Sequence, residues 1–314
     1  MPGGGTIVGS LISFGFQHYD SSSFTSWQIM FLVCGLATVV LGIVIILILP
    51  DNPMSAQFLS RDEKFWAIER LRGNQTGVEN KHFKWPQFVE CFKDPQTYLI
   101  SLITISSNVP NGAVSSFQAT IIKGFGYTSK QTALLSIPSG AVSIVSILLA
   151  TNCAGRFNQR GLNIVALLIP GVIGAALMAF LPEDNKAGKL IGNYMTNCIG
   201  ASLPLLYSWV GSNFAGHTKK VTMNATLLIS FCVGNIIGPL TFTDASAPSY
   251  IPAKIAIIVT CAVAMALTLM LRSYYVYENK RRDGLVRRGS LGHVIDVEFS
   301  DQTDRQNLEF RYTL

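Results

Sequence analysis

The sequence predicts an all-α protein that crosses a membrane several times, and the placement of its charges is the main reason. Of its 314 residues, 49% are hydrophobic and only 13% are charged, against roughly 25% charged in an ordinary soluble domain. The charged residues are missing from long apolar stretches, and the alternating strands of a membrane barrel are not present. Since backbone groups in lipid must be satisfied internally, a helical bundle is the class that fits.

Seven of these uncharged stretches are predicted to be transmembrane helices. At about 1.5 Å of rise per residue, about 20 residues cross a hydrocarbon core of about 30 Å, and each stretch is close to that length. The predicted helix cores are residues 28–49, 97–118, 131–150, 162–181, 190–210, 222–242 and 253–274.

An eighth apolar segment, from Gly3 to Phe16, is short and rich in glycine. A signal peptide is the alternative, but the segment lacks a basic start and a clear cleavage site. We predict a helix that has lost its beginning. Gly5 and Gly9 form a GxxxG pattern that suits close helix packing, although such a pattern also arises by chance.

Lysine and arginine are distributed unevenly between the two sets of loops. Of the 24 basic residues, 19 fall in 51–94, 151–161, 211–221 and the stretch after residue 271. The positive-inside tendency places these regions, and both chain ends, on the cytoplasmic side. The net charge of +6 is then a feature of membrane topology. The lipid bilayer is the expected surrounding, and no nucleic-acid partner is predicted.

The predicted cytoplasmic connector, residues 51–94, is too long for a simple turn. Ser60 and Glu63 have the spacing of a capping box, which predicts that a helix begins there. A second short helix is expected to begin at Trp85 and to end before Asp94. We expect both to lie along the inner membrane surface as amphipathic helices.

The predicted cytoplasmic tail, residues 276–314, is polar, and its composition predicts that most of it lacks fixed structure. The cluster from Lys280 to Arg282 is typical of positive-inside anchoring, with a patch for anionic lipid as the alternative. Ser290 follows two arginines and is a candidate phosphorylation site, although such short matches are usually accidental. A phosphate there would oppose the neighbouring basic charge.

Motifs of enzymes and metal sites are absent from the sequence. It contains no HExxH, no Walker A motif, no GxSxG and no paired carboxylates within the apolar stretches. The six cysteines are isolated and no CxxC occurs, so neither a zinc site nor a redox pair is supported. We therefore predict a protein that is not an enzyme and that needs no cofactor and no metal.

Uncharged polar residues are concentrated in the second predicted helix. Asn108, Asn111 and Ser115 are spaced i, i+3 and i+7, which is one helical face, and Pro110 and Gly112 lie among them. A proline frees a carbonyl, and such breaks are tolerated where the backbone faces protein or a watery cavity. We predict that this face lines a substrate cavity. The alternative is that these residues satisfy a kink and hold helices together.

Two further predicted helices carry residues of interest. In the fifth, Asn193 and Asn197 share a face at i, i+4 and are predicted to line the same cavity. In the sixth, Gly234, Gly238 and Pro239 are first of all a helix-packing pattern. No lysine or arginine lies within the uncharged stretches that predict these helices. The countercharge for an anion must then come from helix N-termini or from outside this chain.

Several short motifs of the sequence form a recognisable set. They are Leu49-Pro50-Asp51-Asn52-Pro53, Asn108-Val109-Pro110-Asn111-Gly112, Ile121-Ile122-Lys123-Gly124-Phe125-Gly126-Tyr127, Gly238-Pro239, Asp244 through Lys254 and the ending from Asn307 through Tyr312. Together they resemble the allantoate permease group, the anion:cation symporters of the major facilitator superfamily best known from fungi. The resemblance covers essentially the whole chain.

This resemblance implies a major facilitator-type helical bundle in which about eight of twelve transmembrane helices, the fifth to the twelfth, are present. The implied domains are a remnant of the N-terminal half at 1–50, the connector at 51–94, the six-helix C-terminal half at 95–275 and the tail at 276–314. The chain then begins within the fifth helix, and the first four are missing.

The missing first four helices are one departure from the family. A second concerns the loop between the eighth and ninth helices. The superfamily often keeps an acidic residue before its arginine there, as a gating contact. In this sequence Arg156 and Arg160 keep the basic part, and the acid is lacking. An intact salt-bridge latch at this gating loop is therefore in doubt.

In the superfamily the first, fourth, seventh and tenth helices line the central cavity. The seventh and tenth correspond to the two helices whose asparagines are singled out above. The implied function is proton-coupled uptake of a small organic anion, or of a ureido or carboxylate compound, by alternating access across the plasma membrane. Two alternatives are a truncated, non-transporting membrane protein and a nutrient sensor on a transporter scaffold, the latter resting only on the tail and Ser290. The sequence does not indicate the oligomeric state.

Overall fold

A computed structural model describes residues 2–18, 25–50, 56, 58–72, 83–182, 184–247, 249–287 and 301–314. These residues form helices joined by turns, and no strand occurs among them. The all-α class predicted from the sequence is confirmed. The candidate phosphorylation site Ser290 lies outside the described residues.

Twelve α-helices and two short 3-10 turns make up the described part of the chain. The 3-10 turns are Asn197–Ala201 and Asp244–Ser246. The helices are α1 (Pro2–Phe16), α2 (Ser26–Ile48), α3 (Arg61–Arg72), α4 (Trp85–Lys93), α5 (Pro95–Gly124), α6 (Ser129–Leu135), α7 (Ile137–Phe157), α8 (Arg160–Phe180), α9 (Lys186–Thr196), α10 (Ser202–Asn213), α11 (His217–Leu240) and α12 (Ile251–Arg287).

All seven predicted spans coincide with helical structure. Three of them differ from a single apolar helix. α5 has 30 residues but is rich in polar side chains. The predicted span 131–150 is divided between α6 and α7, and the span 190–210 into α9, a 3-10 turn and α10. The stretches among the described residues that are long and apolar enough to cross a membrane are Ser26–Ile48, Ser129–Phe157, Arg160–Phe180, His217–Leu240 and Ile251–Leu285.

The chain divides into two compact units. The first unit comprises Met1–Leu11 and Lys84–Leu314, and the second comprises Ile12–Phe83. In the second unit, α2 is almost entirely apolar, yet none of its residues is buried. This combination is expected of a helix that contacts lipid. At the start of α3 the predicted capping box is present, with Ser60 N donating to Glu63 Oε2 at 2.9 Å and Glu63 N donating to Ser60 Oγ at 3.3 Å.

In the first unit, α5 and α11 cross at very close range because glycines line their interface. A Cβ atom added to Gly112 would lie 2.6 Å from Asn235 Cα, and one added to Gly234 would lie 2.7 Å from the Ile105 carbonyl. Gly238 is packed in the same way against the Val109 carbonyl. Small residues allow two helix backbones to approach closely. The resulting van der Waals contact stabilises helix association in lipid, where the hydrophobic effect does not drive it.

The contact made by α1 differs from the sequence prediction. Gly5 and Gly9 are exposed, and a Cβ added to either would meet nothing within 4 Å, so the prediction that they form the packing face is wrong. Gly3 packs instead on α7, where an added Cβ would lie 2.5 Å from the Gly140 carbonyl. The spacing of glycines is visible in the sequence, but which side of the helix meets a neighbour is decided by the bundle.

The predicted tail also needs correction. Residues 276–287 continue α12, and residues 301–314 pack on the first unit with Thr303, Asp304 and Tyr312 buried. The composition of this region is polar, but its polar groups are hydrogen-bonded to side chains of the bundle, which removes the cost of burying them. We call residues 301–314 the terminal segment. The end of the first unit on which it lies, where α5, α8 and α11 begin and α10 ends, is called the charged end.

Candidate functional site

The predicted polar face of α5 is divided among three environments. Asn108 is buried and donates from Nδ2 to the Thr104 carbonyl at 2.8 Å. Asn111 is half-buried and donates from Nδ2 to Oδ1 of Asn235 on α11 at 3.2 Å. Ser115 is exposed and donates to the Gly112 carbonyl at 3.3 Å. Thus Asn108 contributes to helix packing, and Asn111 bridges α5 to α11.

The proline of α5 does not interrupt its helix. Pro110 is buried, and α5 continues on both sides of it as one helix. Pro239 likewise lies inside α11, close to the residue where that helix ends. A break falls instead at Asn197–Ala201, where 3-10 geometry separates α9 from α10.

This break lies beside the polar face of α5. A Cβ added to Gly200 would lie 3.5 Å from Oδ1 of Asn111. Asn197 donates from Nδ2 to the Asn193 carbonyl at 2.8 Å, and its own carbonyl accepts from Ser143 Oγ at 3.4 Å. The structure therefore brings Asn111 and the Asn197 segment together.

Asn193 was also predicted to line the cavity, and its surroundings in the structure differ from those of Asn197. It is fully buried, and neither Nδ2 nor Oδ1 has a hydrogen-bond partner among the described residues. The neighbouring Gly192 packs tightly on Gly174 of α8, which brings this part of α9 close to α8. An orphaned buried amide costs about 1 to 3 kcal/mol.

A row of serines on α7 also lies at this site, although the sequence did not single it out. Ser139 accepts from Gln118 Nε2 on α5 at 2.7 Å, and Ser146 Oγ lies 3.2 Å from Cys198 Sγ in the 3-10 turn. With Ser143, these serines are spaced i, i+4 and i+7, so they share one face of the helix. This spacing within an uncharged stretch is the sequence pattern that could have identified the serines.

The chemistry of this polar site is that of neutral donors and acceptors. Amides and hydroxyls from α5, α7, α11 and the 3-10 turn make up its side chains. A search of the described residues finds no group of three or more His, Cys, Asp or Glu that could hold a metal ion. Such a site is suited to hydrogen-bonding a polar solute.

The predicted gating arginines lie at the charged end. Arg156 is exposed near the end of α7, and the turn to α8 passes through Asn158 with a positive φ of 52°. Arg160 donates from Nε to Ser208 Oγ at 3.0 Å, and its backbone N–H donates to the Leu314 carbonyl. Within the described part of the chain, neither arginine forms an ion pair with an aspartate or glutamate.

A buried ion cluster at the charged end was likewise not predicted. Lys219 Nζ lies 2.9 Å from Asp94 Oδ2, 2.8 Å from Asp304 Oδ1 and 3.0 Å from Glu90 Oε1. The side chains of Lys219, Asp94 and Asp304 are fully buried. In the sequence, Lys219 is one of two adjacent lysines, and nothing there indicates that its partners lie in distant parts of the chain.

Arg305 and Asp301 extend this electrostatic network. Burial lowers the pKa of Arg305, but the charge of Asp94, whose Oδ2 lies 3.5 Å away, and a hydrogen bond with Tyr274 together outweigh this, so the pKa is raised. Burial raises the pKa of Asp301, but hydrogen bonds from Lys84 and from the His217 backbone N–H outweigh it and hold the pKa below its usual value.

Comparison with known proteins gives a consistent family. Residues 3–239 match the model of the Major Facilitator Superfamily. The chain is 41% identical to the Thiamine pathway transporter THI73 of Saccharomyces cerevisiae, over 99% of this chain and 59% of that protein. It is 36% identical to the Allantoate permease of the same yeast, over 100% of this chain and 60% of that protein.

A third relative is the MFS-type transporter cnsL of Penicillium expansum, which is 37% identical over 94% of this chain and 61% of its own length. The chain thus spans about three-fifths of the length of these relatives. All three are named as transporters or permeases, not as enzymes. The match over residues 3–239 shows that the chain belongs to the Major Facilitator Superfamily, and over its own length the chain is similar to a fungal allantoate permease.

Proposed function

We propose that the protein takes part in secondary active transport of a small organic anion, or of a ureido or carboxylate compound, coupled to protons. The observation that supports this most is the meeting of Asn111 with the 3-10 turn Asn197–Ala201. At this point the polar face of α5 lies against the break between α9 and α10. Discontinuous helices next to polar side chains are how many transporters build a substrate site.

The groups at this site suit the proposed substrates. An asparagine amide offers both N–H donors and a carbonyl acceptor, and a ureido group offers complementary acceptors and donors. A carboxylate accepts hydrogen bonds from the amide N–H groups, and the dipole of α10 adds positive potential near its start. Asn111, Asn197 and Ser115 are the residues that we expect to face the substrate.

Asn108 and Asn193 stay in the proposal as residues of an alternative state. Both are buried in the structure, and alternating access moves helices relative to one another so that closed surfaces open. The unpaired amide of Asn193 would gain partners if α9 separated from α8. Its burial cost then favours the state in which it is solvated or bound to substrate.

Membrane orientation follows from the distribution of basic residues. We propose that the charged end faces the cytoplasm and that the protein resides in the plasma membrane, with the terminal segment inside. The name of one relative, an allantoate permease, supports the substrate class, whereas the name of another, a thiamine pathway transporter, does not indicate an anion. Allantoate carries both the ureido and the carboxylate groups of the proposal.

The proposal is tested by uptake of radiolabelled allantoate and thiamine into cells that lack their own uptake systems and express this protein. We expect saturable uptake of the anion, abolished by a protonophore, and a loss of at least about tenfold in uptake with Asn111→Ala. The control is Asn152→Ala, an asparagine exposed on α7. Saturable anion uptake that is unaffected by the protonophore would remove proton coupling from the proposal.

A further inference from the structure

The terminal segment is held in place almost entirely by other parts of the chain. Residues 301–314 form neither helix nor strand; turns within the segment satisfy some of its backbone groups, and side chains of the bundle bind others. Gln87 of α4 donates from Nε2 to the Asp301 carbonyl at 2.8 Å, and Arg282 of α12 donates from Nη1 to the Phe310 carbonyl at 2.9 Å. A short peptide without helix or strand, bound by side chains of surrounding helices, is arranged like a ligand in a groove.

Two asparagines bind the segment's main chain in the same way. Asn279 of α12 donates to the Tyr312 carbonyl at 2.8 Å and accepts from the Tyr312 N–H at 2.9 Å. Asn213 of α10 donates to the Thr313 carbonyl at 2.9 Å and accepts from the Thr313 N–H at 2.8 Å. Trp209 Nε1 adds a second donor to the same carbonyl at 2.9 Å. Paired amides of this kind recognise a peptide backbone whatever its side chains.

Specificity comes from Asp304. Its Oδ1 lies 2.8 Å from Lys219 Nζ, and its Oδ2 accepts from Gln96 Nε2 at 3.0 Å. Oδ2 also accepts from the hydroxyl of Tyr312 at 2.7 Å. All four side chains are buried, and hydrogen bonds to a buried charge are about twice as strong as neutral ones.

Tyr312 supplies the aromatic anchor. Its ring stacks on Tyr275 of α12 with centroids 4.9 Å apart and planes 13° apart, and the guanidinium of Arg282 lies 4.7 Å from its centroid. Its hydroxyl accepts from Arg282 Nη2 at 3.1 Å. A ring held between an aromatic face and a guanidinium, with its hydroxyl satisfied, is typical of a residue that dominates binding.

We propose that the charged end of the first unit contains a peptide-binding groove and that the terminal segment is its detachable ligand, bound within the same chain. The ligand chemistry is a peptide with an acidic residue 8 positions before a tyrosine and with turns between the two. Residues 288–300 join α12 to the segment, and such a length of chain reaches about 45 Å when extended. The segment can therefore leave the groove without unfolding α12.

When it occupies the groove, the terminal segment contacts helices that are distant from one another in the sequence. The segment contacts α4, α5, α8, α10, α11 and α12 through the bonds described above. When it leaves, the amides of Asn213 and Asn279 lose their partners, which favours rebinding. Such binding does not depend on the transport proposal, since it concerns only how the chain holds its own segment.

The test uses the full chain with a protease site placed within 288–300. The purified protein is cut in detergent, and release of the segment is followed by size-exclusion chromatography and mass spectrometry. A fluorescent peptide with the sequence of 301–314 is then titrated by anisotropy. We expect the cut segment to exchange with the labelled peptide and the peptide to bind saturably. An Asp304→Asn peptide should bind at least about tenfold more weakly.

Matched variants of the groove locate the site. The cut Lys219→Met protein should bind the wild-type peptide at least about tenfold more weakly, whereas Lys220→Met, at the adjacent exposed lysine, should bind it normally. Because Lys219→Met can impair folding, the Asp304→Asn peptide tests the same contact on an unaltered protein. The proposal is overturned if the cut segment never exchanges, if no saturable binding occurs, or if both peptides bind equally.

Discussion

Lys219 and Asp94 form an ion pair from which solvent is excluded. Lys219 Nζ lies 2.9 Å from Asp94 Oδ2, and both side chains have zero exposure. The pair joins the beginning of α11 to the residue that immediately precedes α5. Since Asp304 and Glu90 share the same ammonium, removal of the lysine leaves three carboxylates without their shared cation.

The first prediction concerns this cation. Lys219→Met should lower the free energy of unfolding by about 3 to 5 kcal/mol, because breaking a buried ion pair from one side leaves uncompensated buried charge. Lys220→Met should change it by less than about 0.5 kcal/mol, as is usual for exposed positions. Unfolding by SDS titration, followed by circular dichroism, measures both. Equal effects of the two variants would show that the ion cluster contributes nothing to stability.

The glycine interface between α5 and α11 gives a second prediction. In Gly238→Ala, the new methyl group would lie 2.5 Å from the Ala113 backbone nitrogen, so the helices must separate. We expect a loss of about 1 to 3 kcal/mol, as for other overpacked interiors. Gly211→Ala is the control, since a Cβ there meets nothing within 4 Å. If the same SDS titration gives Gly238→Ala the stability of the control, the close crossing is not present.

Cysteine reactivity supplies a third prediction. Cys91 is fully buried, and burial raises the pKa of its thiol, which reduces the thiolate that reacts with maleimides. N-ethylmaleimide at about pH 7.5 should modify half-buried Cys153 at least about tenfold faster than Cys91 in the folded protein. Peptide mass spectrometry at timed intervals gives both rates. Denaturation in SDS should abolish the difference, and rapid labelling of Cys91 before denaturation would contradict its burial.

The pH dependence of Asp301 is a fourth prediction. Its pKa lies below the usual 3.8, so its carboxylate stabilises the fold fully above that pH and loses this contribution as the pH falls through the lowered value. Wild type should exceed Asp301→Asn in unfolding free energy by less than about 1 kcal/mol between about pH 7 and 5, because the pair with Lys84 is partly exposed. Parallel unfolding titrations should show this difference vanishing below pH 3.8. A difference that grows with acidity would reverse the assigned sign.

The helices of the bundle were predictable because exclusion of charge from lipid is a local property of sequence. The capping box at Ser60 and Glu63 was predictable because it too is a local pattern of the sequence. For the polar site, helical periodicity indicated Asn111 but placed Asn108 on the same face. In the structure Asn108 is buried against α11. The 3-10 turn at Asn197 could not be predicted, since no residue in 197–201 excludes an α-helix.

The terminal segment could not be predicted for a different physical reason. Its composition is polar, and composition predicts disorder only if each polar group must be solvated by water. Here Asp304 and Tyr312 meet partners on helices of the bundle, and for Asp304 the partner Lys219 lies far away in the sequence. Such long-range compensation leaves no periodic pattern, and only the three-dimensional structure shows it.

The central claim, that a polar site at Asn111 binds a transported organic anion, is tested most directly by initial rates of radiolabelled allantoate uptake. Rates are compared for wild type, Asn111→Ala and the control Asn152→Ala, at matched expression in the membrane. The account predicts saturable uptake by wild type and the control, and a loss of at least about tenfold in kcat/KM for Asn111→Ala. Saturable uptake with the same kcat and KM in all three proteins would contradict it.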